Sequence, residues 1–370
     1  GSPLQVMTFF GDSAGPLAAT PDGTAVYVGV FKSGNRTTIL AESHVCNGGE
    51  TAQPCQPVPG EATAPGGLPA PNADTAGITA PETGLIVRHD GTAWRDELGR
   101  DWSPLVRFAL PDQDVFRIAV GPDGSTSAGD AFSGVGTVLF GMAVNPVSGR
   151  LYVSNTEANN AVRLAGLRPA GSTITSVNGN LAKARITVID PATASVSPRH
   201  LNKHIDYGVI PAPTSVRDRS LASPGGIVVS ADGATLWVAA KGSDRVGVFA
   251  TAGLENDSFT PDAANQVVVT GGGPSGLALD EARRRLYVMT RFDNGVSVVD
   301  TATRAEVGHV RLFNPEPASI VNGRRLLYDA RLTSGNGEAS CASCHVAADK
   351  DELAWDLGDP FGTQVDNPNP

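Results

Sequence analysis

The sequence has little of several features that would place it in a protein class at once. Only 18% of its 370 residues are charged and 6% are aromatic. No apolar run approaches the roughly 20 residues that a membrane-spanning helix needs, so we expect no transmembrane segment. Basic residues are outnumbered, because 28 Lys and Arg against 38 Asp and Glu give a net charge of −10. This balance disfavours nucleic acid as a partner.

The start of the chain also lacks the parts of a secretion signal. It opens Gly1-Ser2-Pro3, with no methionine, no basic segment and no apolar segment after it. We therefore expect that a signal peptide, if the protein has one, is absent from this chain.

Glycine and proline, in contrast, are abundant. The chain holds 43 glycines and 27 prolines, while 41% of its residues are hydrophobic. Frequent turns argue against a helical bundle, and the apolar content is that of a folded domain with a sizeable core. Two domains of average size, or one large all-β domain with a remnant, would both fit the length.

A repeated pattern decides between these alternatives. Strand, turn and second strand recur at 17–28, 141–153, 226–238 and 276–288, each centred on Tyr27, Tyr152, Trp237 or Tyr287. A polar turn and a third strand follow at 35–40, 160–164, 244–249 and 294–300. Repeated units of three or four short antiparallel strands are typical of propeller blades. We predict an all-β protein with a β-propeller fold and seven blades, with six as the alternative; a sandwich of unrelated hairpins stays open.

The repeat spacing is irregular in the first half of the chain. A Pro- and Gly-rich insertion is expected at about 46–81, and strands at 84–89 and 115–120 are expected to supply a concealed blade. Residues 318–328 look like a weaker copy of the repeat. Closure of the propeller is expected to bring residues 5–10 beside strands of the C-terminal blade, which would remove a free sheet edge.

The four cysteines form two close pairs. Cys46 and Cys55 flank a short Gly- and Pro-containing loop that closes easily into a disulfide, which would place the protein in an oxidising compartment, periplasmic, extracellular or cell-surface. Two free thiols are the alternative. A metal site is disfavoured, because no second Cys or His pair follows at a suitable spacing.

The second pair matches the C-x-x-C-H attachment pattern of c-type haem. In Cys341-Ala342-Ser343-Cys344-His345, two thiols could form thioethers with the haem vinyl groups and the adjacent imidazole could ligate the iron. The sequence therefore predicts haem c as a cofactor bound by Cys341, Cys344 and His345. A structural disulfide is the alternative.

These motifs resemble a known combination. The Leu-Tyr-Val and Leu-Trp-Val hairpins resemble YVTN-type repeats of secreted bacterial β-propellers, and residues 314–345 resemble the junction of such propellers with a c-type cytochrome domain. The segment 349–362 is similar to the one after the first haem motif of di-haem peroxidase-like proteins. The resemblance implies a propeller over 1–335 and the start of a cytochrome c-like domain over 336–370. Only 25 residues follow His345, so we expect a longer natural protein, cut shortly after the motif.

The resemblance implies electron transfer or peroxidase-like redox chemistry outside the cytoplasm. If the protein is an enzyme, we expect a haem-dependent oxidoreductase, and as partner a redox protein or a downstream cytochrome domain. Two alternatives stay open, because propellers host many functions. One is a redox-silent cell-surface propeller that binds a protein or glycan. The other is a lactonase-like hydrolase with a metal or acid–base cluster at the mouth of the central channel.

Two further clusters could bind metal. His200, His204 and Asp206 offer imidazole and carboxylate ligands that suit copper, zinc or iron, and the two histidines could also serve as distal haem ligands. Hydrogen-bonded loop histidines are the alternative. Calcium is a candidate near the C-terminus, where four carboxylates crowd together, although a solvated acidic tail is favoured. These are Asp349, Asp351, Asp356 and Asp359.

Overall fold

A computed structural model describes residues 5–68, 84–162, 179–209 and 211–356, which form two compact units. The larger unit is built from described residues within 1–33, 112–158 and 182–351. The smaller unit is built from described residues within 34–111, 159–181 and 352–370.

Strands dominate both units. In chain order they are β1 (Ala14–Ala19), β2 (Ala25–Val30), β3 (Thr37–Leu40), β4 (Leu85–His89), β5 (Trp94–Arg95), β6 (Val115–Val120), β7 (Thr126–Phe132), β8 (Val138–Val144), β9 (Leu151–Ala158), β10 (Ala182–Asp190), β11 (Ser195–His200), β12 (Pro224–Val229), β13 (Thr235–Ala240), β14 (Arg245–Ala250), β15 (Gln266–Val268), β16 (Pro274–Asp280), β17 (Arg285–Thr290), β18 (Gly295–Asp300) and β19 (Ala305–Arg311). The α-helices are α1 (Thr214–Arg217), α2 (Thr251–Glu255), α3 (Ala318–Tyr328) and α4 (Ala330–Thr333).

The larger unit contains four antiparallel sheets of four strands each. We call them blade I (β1-β2-β6-β7), blade II (β8 to β11), blade III (β12 to β15) and blade IV (β16 to β19). The first strands of successive blades, β1, β8, β12 and β16, lie beside one another. Such a succession of four-stranded blades is a β-propeller, so the predicted all-β propeller class is confirmed.

Each blade begins with the hairpin that the sequence predicted. Tight turns reverse the chain where Gly23, Gly149 and Gly233 take positive φ angles of 70°, 71° and 71°. In blade IV the non-glycine Arg284 adopts the same left-handed conformation, with φ of 54°. Burial alternates along parts of the second strands β2 and β17, whereas the second strands β9 and β13 are buried at nearly every position.

The core lies between neighbouring blades. Tyr27 of blade I packs with blade II residues such as Leu151, and Tyr152 of blade II packs with blade III residues such as Leu236. Trp237 repeats this arrangement between blades III and IV, where it packs with Leu286. The repeated aromatic residue is therefore a packing residue that buries one blade against the next.

The smaller unit has its own sheet and core. Strands β3, β4 and β5 form an antiparallel sheet. Its hydrophobic cluster includes Leu40, Val87, Trp102 and the disulfide residue Cys46. The side chain of Asp96 accepts a hydrogen bond from the Trp102 indole at 2.9 Å.

Two details of the predicted blade layout are wrong. Residues 35–40 and 84–89 pair with each other as β3 and β4, while residues 115–120 become the third strand of blade I. Residues 160–162 carry no strand, residues 163–164 lie outside the described ranges, and the third strand of blade II is β10. The described residues supply four four-stranded blades and one three-stranded sheet, and the total of seven blades stays a prediction.

The expected strand copy at 318–328 is instead the helix α3, which follows Pro317. Its partly buried residues include Val321, Arg324, Arg325 and Tyr328. They recur at the i, i+3, i+4, i+7 spacing of a helix with one face against the protein.

Residues 5–10 lie against blade I. The Gln5 amide donates to the Thr126 carbonyl oxygen of blade I at 3.2 Å. The ring of Phe9 stacks on Phe116 of the same blade, with 4.6 Å between ring centroids. This segment therefore covers apolar side chains of blade I.

Candidate functional site

The C-x-x-C-H motif lies on a short helical turn at the end of the larger unit. Cys341–Ser343 forms a 3-10 turn, and the His345 amide donates to the Cys341 carbonyl oxygen at 2.9 Å. The Ser340 amide donates to the Ser343 hydroxyl at 3.0 Å. This turn brings both cysteines and the histidine into one local site, and it packs against α3.

Both thiols of the motif are free. Cys341 is exposed and Cys344 is partly buried. Burial, and then the negative charge of Asp351, raises the pKa of the Cys344 thiol to about 12. Neither thiol of the motif is in a disulfide, so both can form another bond.

The imidazole of His345 is oriented as an iron-binding imidazole would be. Its Nδ1 lies 3.2 Å from the Asp349 carbonyl oxygen, which can only accept, so Nδ1 is the donor. In the neutral ring Nε2 then carries the lone pair. Metal-ligating histidines commonly donate the other ring N–H to a backbone carbonyl in this way. His345 is also exposed, so the residues present fit a covalently attached haem.

A buried carboxylate fixes this segment to blade II. Glu338, three positions before Cys341, is 2% exposed. Its Oε1 accepts from His200 Nε2 at 2.5 Å, from the Asn202 amide at 3.0 Å and from the Ala184 backbone N–H at 3.2 Å. Its Oε2 accepts from the Tyr207 hydroxyl. Burial, together with the charge of Glu338, raises the pKa of Tyr207 above its usual value.

The backbone before Glu338 requires glycine. Gly337 has a φ of 78°, and a Cβ there would lie 2.8 Å from the carbonyl oxygen of Arg217. This close approach points the chain inwards and delivers the Glu338 side chain to its four donors. Nothing in the Gly- and Ser-rich sequence around Glu338 signals this role, because such a segment reads as a surface loop.

The structure does not assemble His200, His204 and Asp206 as a metal site. His200 is bonded to Glu338, and His204 Nε2 lies 3.0 Å from the Val216 carbonyl oxygen. Asp206 accepts from the Gly208 amide at 2.8 Å. Burial lowers the pKa of His204, which favours its neutral form. Each of the two histidines thus has a hydrogen-bond partner.

The aspartates after the motif do not form a calcium site within the described residues. Asp349 pairs with Lys32 at 3.0 Å, and this hydrogen bond lowers the pKa of Asp349. Asp359 lies outside the described residues. Across the described ranges, no group of three or more His, Cys, Asp or Glu side chains is arranged to hold a metal ion.

The predicted disulfide is present. Cys46 and Cys55 are bonded, with their Cα atoms 5.8 Å apart. The bond borders the hydrophobic cluster of the smaller unit. Beside it His44 Nδ1 lies 2.7 Å from Glu61. In the described part of the chain, no helix is both long and apolar enough to cross a membrane.

Comparisons with known proteins give structural likenesses of low sequence identity. A periplasmic gluconolactonase of Pseudomonas aeruginosa has a TM-score of 0.42 and 14% identity, and the match covers 86% of this chain and 62% of the gluconolactonase. This chain therefore spans less than two thirds of the length of the gluconolactonase. Hydrazine synthase of Kuenenia stuttgartiensis has a TM-score of 0.38 and 16% identity, and the match covers 78% of this chain and 71% of that one.

A third likeness is to the Cps50 β-propeller domain of Myceliophteria thermophila, with a TM-score of 0.34 and 10% identity, covering 82% of this chain and 74% of that one. No family model matches the sequence, and no curated protein matches it.

Proposed function

We propose that the chain is the β-propeller module of an extracytoplasmic c-type cytochrome. Cys341 and Cys344 form the thioethers to haem, and His345 is its proximal ligand. The observation that carries the proposal is the hydrogen bond from His345 Nδ1 to the Asp349 carbonyl oxygen, 3.2 Å long, on the turn that bears two free thiols. It orients the imidazole and leaves Nε2 as the ligating nitrogen.

The chain contributes position and environment to this site. The turn of Cys341–Ser343 spaces the thiols, and the Asp349 carbonyl oxygen holds the imidazole. Hydrogen bonds from Ala184 and His200 of blade II to Glu338 hold the segment before the turn against that blade. Bound haem supplies one-electron transfer, or the reaction of a peroxide at iron. The disulfide supports an oxidising compartment, periplasmic or extracellular.

The spectrum of protein matured in a host that attaches haem tests this proposal. We expect haem absorption bands that survive denaturation and acid extraction, because thioether bonds hold the group. Cys341→Ser with Cys344→Ser should abolish these bands, whereas Ser340→Ala, beside the motif, should retain them. A folded wild-type chain without covalent haem would contradict the proposal and favour the redox-silent binding module.

A second measurement on the same preparation distinguishes electron transfer from peroxidase-like chemistry. An electron carrier accepts and returns one electron with a redox mediator and reacts slowly with hydrogen peroxide. A peroxidase-like protein consumes hydrogen peroxide and oxidises an added reductant. The lactonase-like alternative expects a metal or acid–base cluster at the mouth of the central channel. Among the described residues, no group of three or more His, Cys, Asp or Glu side chains is arranged to hold a metal ion.

A further inference from the structure

Two basic residues occupy equivalent places in neighbouring blades. Lys241 directly follows β13 of blade III, and Arg291 directly follows β17 of blade IV. Both strands are the second of their blade, so both side chains start from the same edge of adjacent sheets. The repeat thereby brings two cations together on one face of the propeller.

Helix α3 adds a third cation. Arg324 Nη1 donates to the Arg291 carbonyl oxygen at 3.3 Å. The Lys241 ammonium lies 3.6 Å from the centroid of the Tyr328 ring on the same helix. Burial, followed by the charges of Arg291 and Arg324, lowers the pKa of Lys241 to about 8. All three cations are therefore close enough to interact.

Acidic side chains do not balance this cluster. Glu316 pairs with Arg324. Among the described residues, no carboxylate forms an ion pair with Lys241 or Arg291. Three cations thus share one carboxylate, in a chain whose net charge is −10.

A neighbouring arginine shows that the fold can balance its charges. Arg325, the next residue of α3, donates to Asp244 at 2.7 Å and to Asp329 at 3.4 Å. Like charges that are partly withdrawn from water repel one another unless an anion lies between them. The excess positive charge of Lys241, Arg291 and Arg324 therefore favours the binding of an additional anion, one that the neighbouring carboxylates do not supply.

We propose that Lys241, Arg291 and Arg324 form a binding site for an oxyanion, a carboxylate or phosphate group. Guanidinium groups bind such groups through two parallel hydrogen bonds, and an ammonium adds a compact positive charge. Two sources share this chemistry. One is a diffusible ligand, and the other is the propionate carboxylates of haem attached at Cys341 and Cys344. The second source rests on the proposed function, and the motif's turn packs against α3, which carries Arg324.

The site itself can be tested by titrating the haem-free chain with inorganic phosphate at low ionic strength and measuring the heat of binding by calorimetry. We expect saturable binding that Lys241→Gln or Arg291→Gln weakens about tenfold or more, since each removes a charged hydrogen bond. Lys241→Arg should retain binding. Glu316→Gln should tighten it severalfold, because it removes the competing carboxylate.

The matched control is Arg283→Gln, an exposed arginine of blade IV paired with Asp280. It should leave phosphate affinity unchanged, and the melting midpoint of each variant reports on its fold. Absence of saturable binding, or equal weakening by Arg283→Gln, would overturn the proposal.

The same titration of the haem-loaded chain separates the two sources. Phosphate that binds only the haem-free chain assigns the site to the propionates, whereas equal binding to both forms assigns it to a diffusible anion. If haem fails to attach, the proposed function fails while the haem-free titration still decides the anion site.

Discussion

The two cysteine pairs lie in segments that the fold holds in opposite ways. Cys46 and Cys55 are bonded to each other beside the core of the smaller unit. Cys341 and Cys344 are both free, and hydrogen bonds made by neighbouring residues hold their turn. The first pair forms a disulfide, whereas both thiols of the second pair remain able to react.

The second pair shows that a motif can be held in place without a crosslink between its cysteines. Glu338 collects four donors from blade II and the loop after it, so the motif's position does not depend on its own thiols.

Glu338→Leu should destabilise the larger unit by about 3–5 kcal/mol. The substitution leaves the His200, Asn202 and Tyr207 donors buried without their acceptor, which is among the costliest changes in a protein interior. Denaturant unfolding measures it. Glu281→Leu, at an exposed carboxylate, is the control and should cost less than about 1 kcal/mol. Equal effects of the two changes would show that Glu338 does not anchor the motif.

Loss of the Cys46–Cys55 disulfide should destabilise the smaller unit by about 2–3 kcal/mol, because the crosslink lowers the conformational entropy of the unfolded chain by an amount set by the loop length. Cys46→Ser with Cys55→Ser, or a reductant, should have the same effect in thermal unfolding. Cys341→Ala with Cys344→Ala in the haem-free chain should cost less than about 1 kcal/mol, because no crosslink is lost. Equal losses for the two pairs would remove the contrast between them.

Alkylation should distinguish the two thiols of the motif. At pH 8 Cys344 should react with iodoacetamide about tenfold or more slowly than Cys341, because burial leaves less thiolate to attack. With the pKa of Cys344 raised to about 12, its rate should keep rising with pH beyond the point where ordinary thiols level off. Peptide mass spectrometry follows both sites. A Cys344 rate that levels off near pH 9 would contradict the burial of this thiol.

Ser343→Ala should have the smallest effect, about 1 kcal/mol, because it leaves the Ser340 N–H without its hydroxyl acceptor. The control is Ser215→Ala, at an exposed serine, and should change the unfolding free energy by less than about 0.5 kcal/mol. If both variants unfold alike, the Ser343 hydroxyl does not order the turn.

Local patterns made the blades predictable from the sequence. Alternating apolar residues and Gly-containing turns specify the hairpins around Tyr27, Tyr152 and Trp237, and proximity along the chain specifies the disulfide. The pairing of β3 with β4, in place of a blade, was not predictable in this way. It depends on contacts across an insertion, which strand propensity does not encode.

The errors near the C-terminus have a related cause. Ile320, Val321 and Leu327 suit a strand as well as a helix, and packing of one face decides for α3. The position of the C-x-x-C-H motif was visible in the sequence. Its anchoring by Glu338 was not, because the four donors come from residues more than a hundred positions away.

The most direct test of the central proposal is the mass of the tryptic peptide 332–350 from protein produced in a haem-attaching host. We predict a peptide that carries one haem through both cysteines, while Cys46 and Cys55 remain joined to each other in the same sample. A peptide of unmodified mass, in a host that loads a control cytochrome fully, would contradict the assignment of Cys341, Cys344 and His345 to haem.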